Sequence, residues 1–139
     1  MRTILAILAG AVIGAVVNGG IVALGPSIIP PPPGADVTTM EGLRASMHLF
    51  GPQNFLMPWL AHAIGTLVGA LVAAKIATTG KRRAALIVGA LFLVGGIANV
   101  MMLPSPLWFT IVDLAGAYMP MAYAGSMLAG GKSQPLVRP

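Results

Sequence analysis

The chain contains no cysteine, which removes disulfides, thiolate metal sites, iron–sulfur clusters and cysteine nucleophiles together and leaves the redox compartment open. Charge is almost as scarce: 8% of the 139 residues are charged and only three are acidic. A soluble domain typically carries about a quarter of its residues charged, so this chain is too apolar to cover itself in water. Aromatic residues make up 6% and do not interleave with the basic ones. The net charge of +5 therefore does not read as a nucleic-acid patch, and no nucleic-acid partner is expected. What is present is hydrophobic residue in bulk, 57% of the chain, with a mean hydropathy of +0.89. Lipid is the solvent that suits it, and membrane lipids are its first expected partners.

A bilayer crossing takes about 20 apolar residues, and the apolar runs number four. They predict an all-α, integral membrane four-helix bundle of two helical hairpins, a single domain spanning 1–139. The helices fall at about 4–24, 54–77, 84–103 and 107–129, with an outer loop 25–53 and a cytoplasmic tail 130–139. The run from Ile4 exceeds a signal-peptide core and lacks a small-residue cleavage site after it, so it is expected to stay as a helix. Gly25-Pro26 should stop that helix and Pro104-Ser105-Pro106 the third, because proline brings no amide donor. In the outer loop, Pro30 to Pro33 reads as a stiff extended spacer. A capping box from Thr38 to Glu41, with Met40, Leu43, Met47 and Phe50 at helical spacing, predicts a short amphipathic helix on the outer membrane surface. Trp59 and Trp108 are placed as interface anchors.

The basic residues set the sidedness. Arg2, Lys75, Lys81, Arg82, Arg83, Lys132 and Arg138 share one side of this topology and Arg44 stands opposite. That asymmetry puts both termini in the cytoplasm.

Small residues recur four apart, Gly10 with Gly14 and Gly65 with Gly69. In lipid such rows are helix-packing faces, since close approach replaces the hydrophobic drive. Whether they meet within one chain or between copies is open at this level. Pro120 lies inside the fourth run and predicts a kink there. A faint repeat overlays Ala61–Lys81 on Val112–Lys132, matching Gly65 with Gly116 and Ala73 with Ala124.

Asn18, His62, Asn99 and Asp113 fall one on each predicted helix. Counting about 1.5 Å per residue from the outer helix ends sets them at roughly 6 to 14 Å depth. A polar layer at one depth points inward, because an unpaired charge in lipid costs about 2.5 to 3.5 kcal/mol or more. Asp113 is the only acidic residue within a span, and His62 is its natural partner, with Arg44 as an alternative counter-charge from above. Three readings stand: a network that fixes helix order, a site that handles a proton or cation, or a carboxylate shallow enough to reach water. His48 and Glu41 share a face of the surface helix without a third ligand to make a metal site. No nucleophile, base and orienting group come together, so no enzyme activity, catalytic residue, cofactor or metal is expected.

The segments Pro31-Pro32-Pro33-Gly34, Gly96-Ile97-Ala98-Asn99 and Pro104-Ser105-Pro106-Leu107-Trp108-Phe109 resemble those of small four-helix bacterial membrane proteins described only as hypothetical. The resemblance covers the order of all four helices and implies a bacterial inner-membrane setting. It brings no activity and no functional residue with it. The resulting expectation is a non-enzymatic accessory or scaffold subunit packing against a membrane-protein partner or further copies of itself. The alternative is a small oligomeric carrier, proton-coupled through Asp113 and His62.

Overall fold

The structure, a computed structural model, describes residues 2–130. The expected tail beyond Gly130, with Lys132 and Arg138, lies outside the described residues. Those described are helical without strands: α1 (Arg2–Ile28), α2 (Met40–Ser46), α3 (Leu56–Ile76), α4 (Lys81–Met102), α5 (Leu107–Gly116) and α6 (Met119–Leu128). Two 3₁₀ turns, Met47–Leu49 and Pro52–Phe55, lead from α2 into α3. Three helical stretches, Arg2–Ile28, Pro52–Ile76 and Lys81–Met102, are long and apolar enough to cross a membrane.

Helix α3 is the axis of the molecule and packs against α1, α4 and α6. Its buried residues are Ala61, Ala63, Gly65, Thr66, Gly69, Ala70, Ala73 and Ala74, all small. Large aliphatic side chains lie on the outside instead, among them Leu5, Leu8, Val12, Val16, Leu91 and Val94. This distribution inverts that of a soluble core, and it lets backbones approach closely. The closest approach joins α1 to α3. A Cβ added at Gly14 would lie 2.6 Å from the carbonyl oxygen of Gly65, and one at Gly69 would lie 2.6 Å from that of Gly10. The small-residue rows therefore meet each other within one chain.

Several boundaries differ from those expected. Helix α1 runs past Pro26 to Ile28 instead of stopping at Gly25-Pro26, because the proline sits in the last turn, where the amide of Ile29 still reaches the carbonyl of Gly25 at 2.8 Å. Helix α2 is capped by Thr39, whose side chain accepts from Gly42 N at 2.9 Å, not by a box from Thr38 to Glu41. Thr38 serves Asp36 instead, donating to its carboxylate from the backbone at 2.9 Å and from the hydroxyl at 2.6 Å. Helix α4 starts at Lys81, so the basic run occupies its first turn. Positive charge at a helix N-terminus opposes the dipole. Part of that is offset at the end of α6, where Lys81 Nζ lies 3.4 Å from the carbonyl of Ala129 and Arg82 covers the ring of Tyr123 at 4.8 Å.

The largest difference is in the last apolar run. In place of one kinked helix, α5 and α6 are separated by a break at Ala117 and Tyr118. Helix α5 closes on Ala117 N to Asp113 O at 2.9 Å, and α6 opens on Ala122 N to Tyr118 O at 2.8 Å. Pro120 stands in the first turn of α6, where its missing amide costs little. The break falls within the second copy of the faint repeat, and the matched glycines differ in setting: Gly65 is pressed against α1, whereas a Cβ at Gly116 would come no nearer than 3.8 Å to Trp59.

Candidate functional site

The connection from α1 to α3 is tied down at several points. Asp36 N donates to Ser46 Oγ at 2.9 Å, and Asn54 donates from Nδ2 to Pro30 O at 3.2 Å while accepting from Gly51 N at 3.0 Å. Arg44 donates to the carbonyl of Met102, from Nε at 3.0 Å and also from its terminal nitrogen. That fixes α2 over the C-terminal end of α4, where exposed carbonyls favour a cation. Arg44 is thus not the counter-charge of Asp113. Met40, Leu43, Met47 and Phe50 turn their shared face onto a cavity of about 420 Å³, so the amphipathic stripe roofs a chamber within the protein.

All four residues of the expected polar layer, Asn18, His62, Asn99 and Asp113, line this cavity. Two of them touch. His62 Nδ1 lies 2.8 Å from Asp113 Oδ1. An ionised carboxylate only accepts, so Nδ1 carries the hydrogen and Nε2 is left as the ring's second proton site. Asp113 is 2% exposed and its imidazole partner 14%, so the ring presents more of its surface to the chamber than the carboxylate does. Asn18 and Asn99 line the walls from α1 and α4, and among the described residues neither hydrogen-bonds to the pair. Asn18 Oδ1 is buried without a partner beside Gly65.

A third member, Tyr118, is not among the residues singled out by sequence. Its hydroxyl donates to Asp113 Oδ2 at 3.0 Å, and its ring stacks on His62 with centroids 5.6 Å apart. On an unbroken helix, residues five apart point about 140° away from each other. The break after Gly116 removes that divergence and turns Tyr118 back toward the carboxylate. The available signal is a phenol two residues before a proline inside an apolar run. Gly96 on α4 makes room for it: a Cβ there would lie 2.6 Å from Tyr118 Cζ. Thr66 adds a backbone tie one turn along α3, donating to His62 O at 2.7 Å.

The other candidates lie elsewhere. Gly10, Gly14, Gly65 and Gly69 form the α1–α3 seam. His48 turns back onto its own backbone, with Nδ1 2.9 Å from Ala45 O. Trp59 is half-buried in the cluster of Ala63, Ala117 and Tyr118, and its indole nitrogen is covered and without an acceptor among the described residues. Trp108 sits edge-on to Phe55 and Phe109 at 5.6 and 5.8 Å.

Chemically, the site is a carboxylate that accepts a hydrogen bond on each oxygen, an imidazole that lines a largely apolar chamber with one nitrogen held by that carboxylate, and a helix break that holds the third group. Comparison with protein-family models, with curated proteins and with solved structures finds no match.

Proposed function

We propose that the chain is a small proton-coupled carrier of the bacterial inner membrane, crossing it four times with both termini in the cytoplasm. The apolar exterior and the small-residue interior support the membrane setting. The fourth crossing is α5 and α6 together, two helices of 10 residues each that supply about 30 Å of helical rise, matching a hydrocarbon core of about 30 Å. The basic residues support the orientation, which opens the chamber outward.

The observation that carries the reading is the placement of the Asp113–His62–Tyr118 cluster at a break in a crossing helix. A structural network needs only satisfied hydrogen bonds. Here a titratable pair faces a ligand-sized chamber, beside an interruption of the kind that lines substrate sites in transporters. Imidazole is the side-chain type whose ordinary charge change falls between about pH 5 and 8, the chemistry that a proton-coupled site calls for.

The test is proton movement in proteoliposomes loaded with a pH-sensitive dye, under an imposed gradient, with amines, carboxylates and sugars added in turn. One solute class should discharge the gradient faster than in protein-free vesicles, and Asp113→Asn should abolish the difference. If no class does so with the wild-type protein, the carrier reading is wrong.

An accessory-subunit role is the second reading. It draws on Gly19 and Gly20, where an added Cβ would meet nothing within 4 Å, leaving an open small-residue face on α1. Crosslinking in intact membranes tests it: a retained partner that is lost with Gly20→Leu supports this role, and an uncrosslinked monomer excludes it.

A further inference from the structure

The walls of the chamber restrict what it can hold. Phe50, Phe55, Phe92, Phe109 and Tyr118 supply aromatic surface, and Met40 and Met47 add polarisable thioethers. Among the described residues, the only ionisable groups on its walls are His62 from α3, Asp113 from α5 and Tyr118 from the break; α1 and α4 contribute the neutral Asn18 and Asn99. On α2, Arg44 is engaged with Met102, while Glu41 and, beyond that helix, His48 are not part of the lining. With the ring and phenol neutral, the chamber carries the single negative charge of Asp113. Asp113 is 2% exposed and its oxygens accept from His62 and Tyr118, so the more exposed imidazole is the group a ligand reaches first. What a ligand meets is the imidazole, whose Nδ1 is held by Asp113 and whose remaining nitrogen is Nε2.

We infer that the ligand is a protonated amine with an apolar body, which donates an N–H to Nε2 of His62 and lays its hydrocarbon against the aromatic walls. This rests on the proton-exchanging site proposed above and names its substrate class. Cations are attracted to aromatic faces, whereas an anion would enter a chamber of its own sign. A bare metal cation finds too few free oxygen ligands here, since hard cations take six or more. The amine and the proton use the same nitrogen lone pair. Binding to the protonated site therefore releases one proton per amine bound, and the amine later leaves as a proton returns. The linkage is reciprocal: amine affinity rises with pH as the ring loses its proton and levels off once it is neutral.

The experiment uses the full chain in detergent and three benzyl probes of nearly one shape: N,N-dimethylbenzylammonium, benzyltrimethylammonium without an N–H, and isobutylbenzene, the uncharged isostere of the first. Isothermal titration in two buffers of different ionisation enthalpy counts the protons released. The tertiary ammonium should bind with proton release below the His62 ring's titration midpoint and none well above it, and at least tenfold more tightly than either comparison probe. Equal binding of the three, or amine binding without proton release below that midpoint, overturns the inference. Nitrogen NMR of the His62 ring without ligand separates the two levels. A ring that titrates but releases nothing to the amine removes only this ligand class, and a ring that never titrates removes the proton-exchanging site itself.

Discussion

The two ends of the molecule use the same small residues to opposite effect. Toward the α3–α4 turn, Ala6, Ala73, Ala77, Ala84 and Val88 fill the space between helices, and Ala70, Ala74, Ala85 and Ala122 form a second filled layer. Toward the α1–α3 connection the helices part around a chamber of about 420 Å³. Phe92 stands on the border, packed beside the first cluster and lining the chamber. Residue size alone does not separate the regions. Gly69 meets the Gly10 backbone at closed contact, whereas Gly95 lines the chamber and an added Cβ would meet nothing within 4 Å. A small residue closes the structure where another backbone comes to meet it and opens it where none does.

The sharpest way to break this contrast is to enlarge one glycine from each region. Gly69→Leu should force α1 from α3 and cost about 3 kcal/mol or more, since the obstructing atoms are backbone and cannot rotate aside. Gly95→Leu should change stability by roughly 0.5 kcal/mol or less. Equal losses in thermal unfolding in detergent would dissolve the distinction between the two ends.

A smaller effect tests how the open end is held. Tyr118→Phe removes a buried hydrogen bond to a carboxylate and should cost about 2 kcal/mol. The freed carboxylate oxygen should also alter the titration of the His62 ring seen by NMR. An unchanged ring with reduced stability would assign the phenol to packing alone.

The smallest effect lies in the roof. Asp36 is held below the usual carboxylate range, first by the Thr38 hydroxyl and then by the Thr38 backbone amide. A depressed carboxylate favours the folded turn above its unfolded pKa, and that contribution is lost as pH falls through the folded value. Thr38→Ala should move the Asp36 titration up toward the ordinary value, read by carboxyl NMR, without altering the chamber.

Much of the fold is legible in the sequence because composition and proline placement constrain it. The apolar runs give helices, and the four-residue spacing of Gly10, Gly14, Gly65 and Gly69 marks the seam. His62 and Asp113 can be paired on paper, since each needs a partner away from water, and the structure sets them 2.8 Å apart. What cannot be read depends on rephasing and on tertiary partners. The break at Ala117 and Tyr118 brings a residue of the wrong helical phase into the site. The apolar face of α2 is visible as a pattern, but the same pattern suits a lipid surface and a chamber roof equally. Arg44 finds the carbonyl of Met102, a backbone group that side-chain pairing arguments do not consider.

The glycine seam also bears on the order in which the protein is made. It joins α1 to α3, the first two long helices of the chain, and helices in lipid associate once each is inserted. In the proposed membrane setting, the pair can therefore zip together while α4 to α6 are still being synthesised. His62 is then already in place on a formed surface when Asp113 emerges, and the acidic residue joins a waiting partner. A chain interrupted before α5 would retain its tightest contact yet lack the carboxylate, so assembly and the completion of the site are separate events in time.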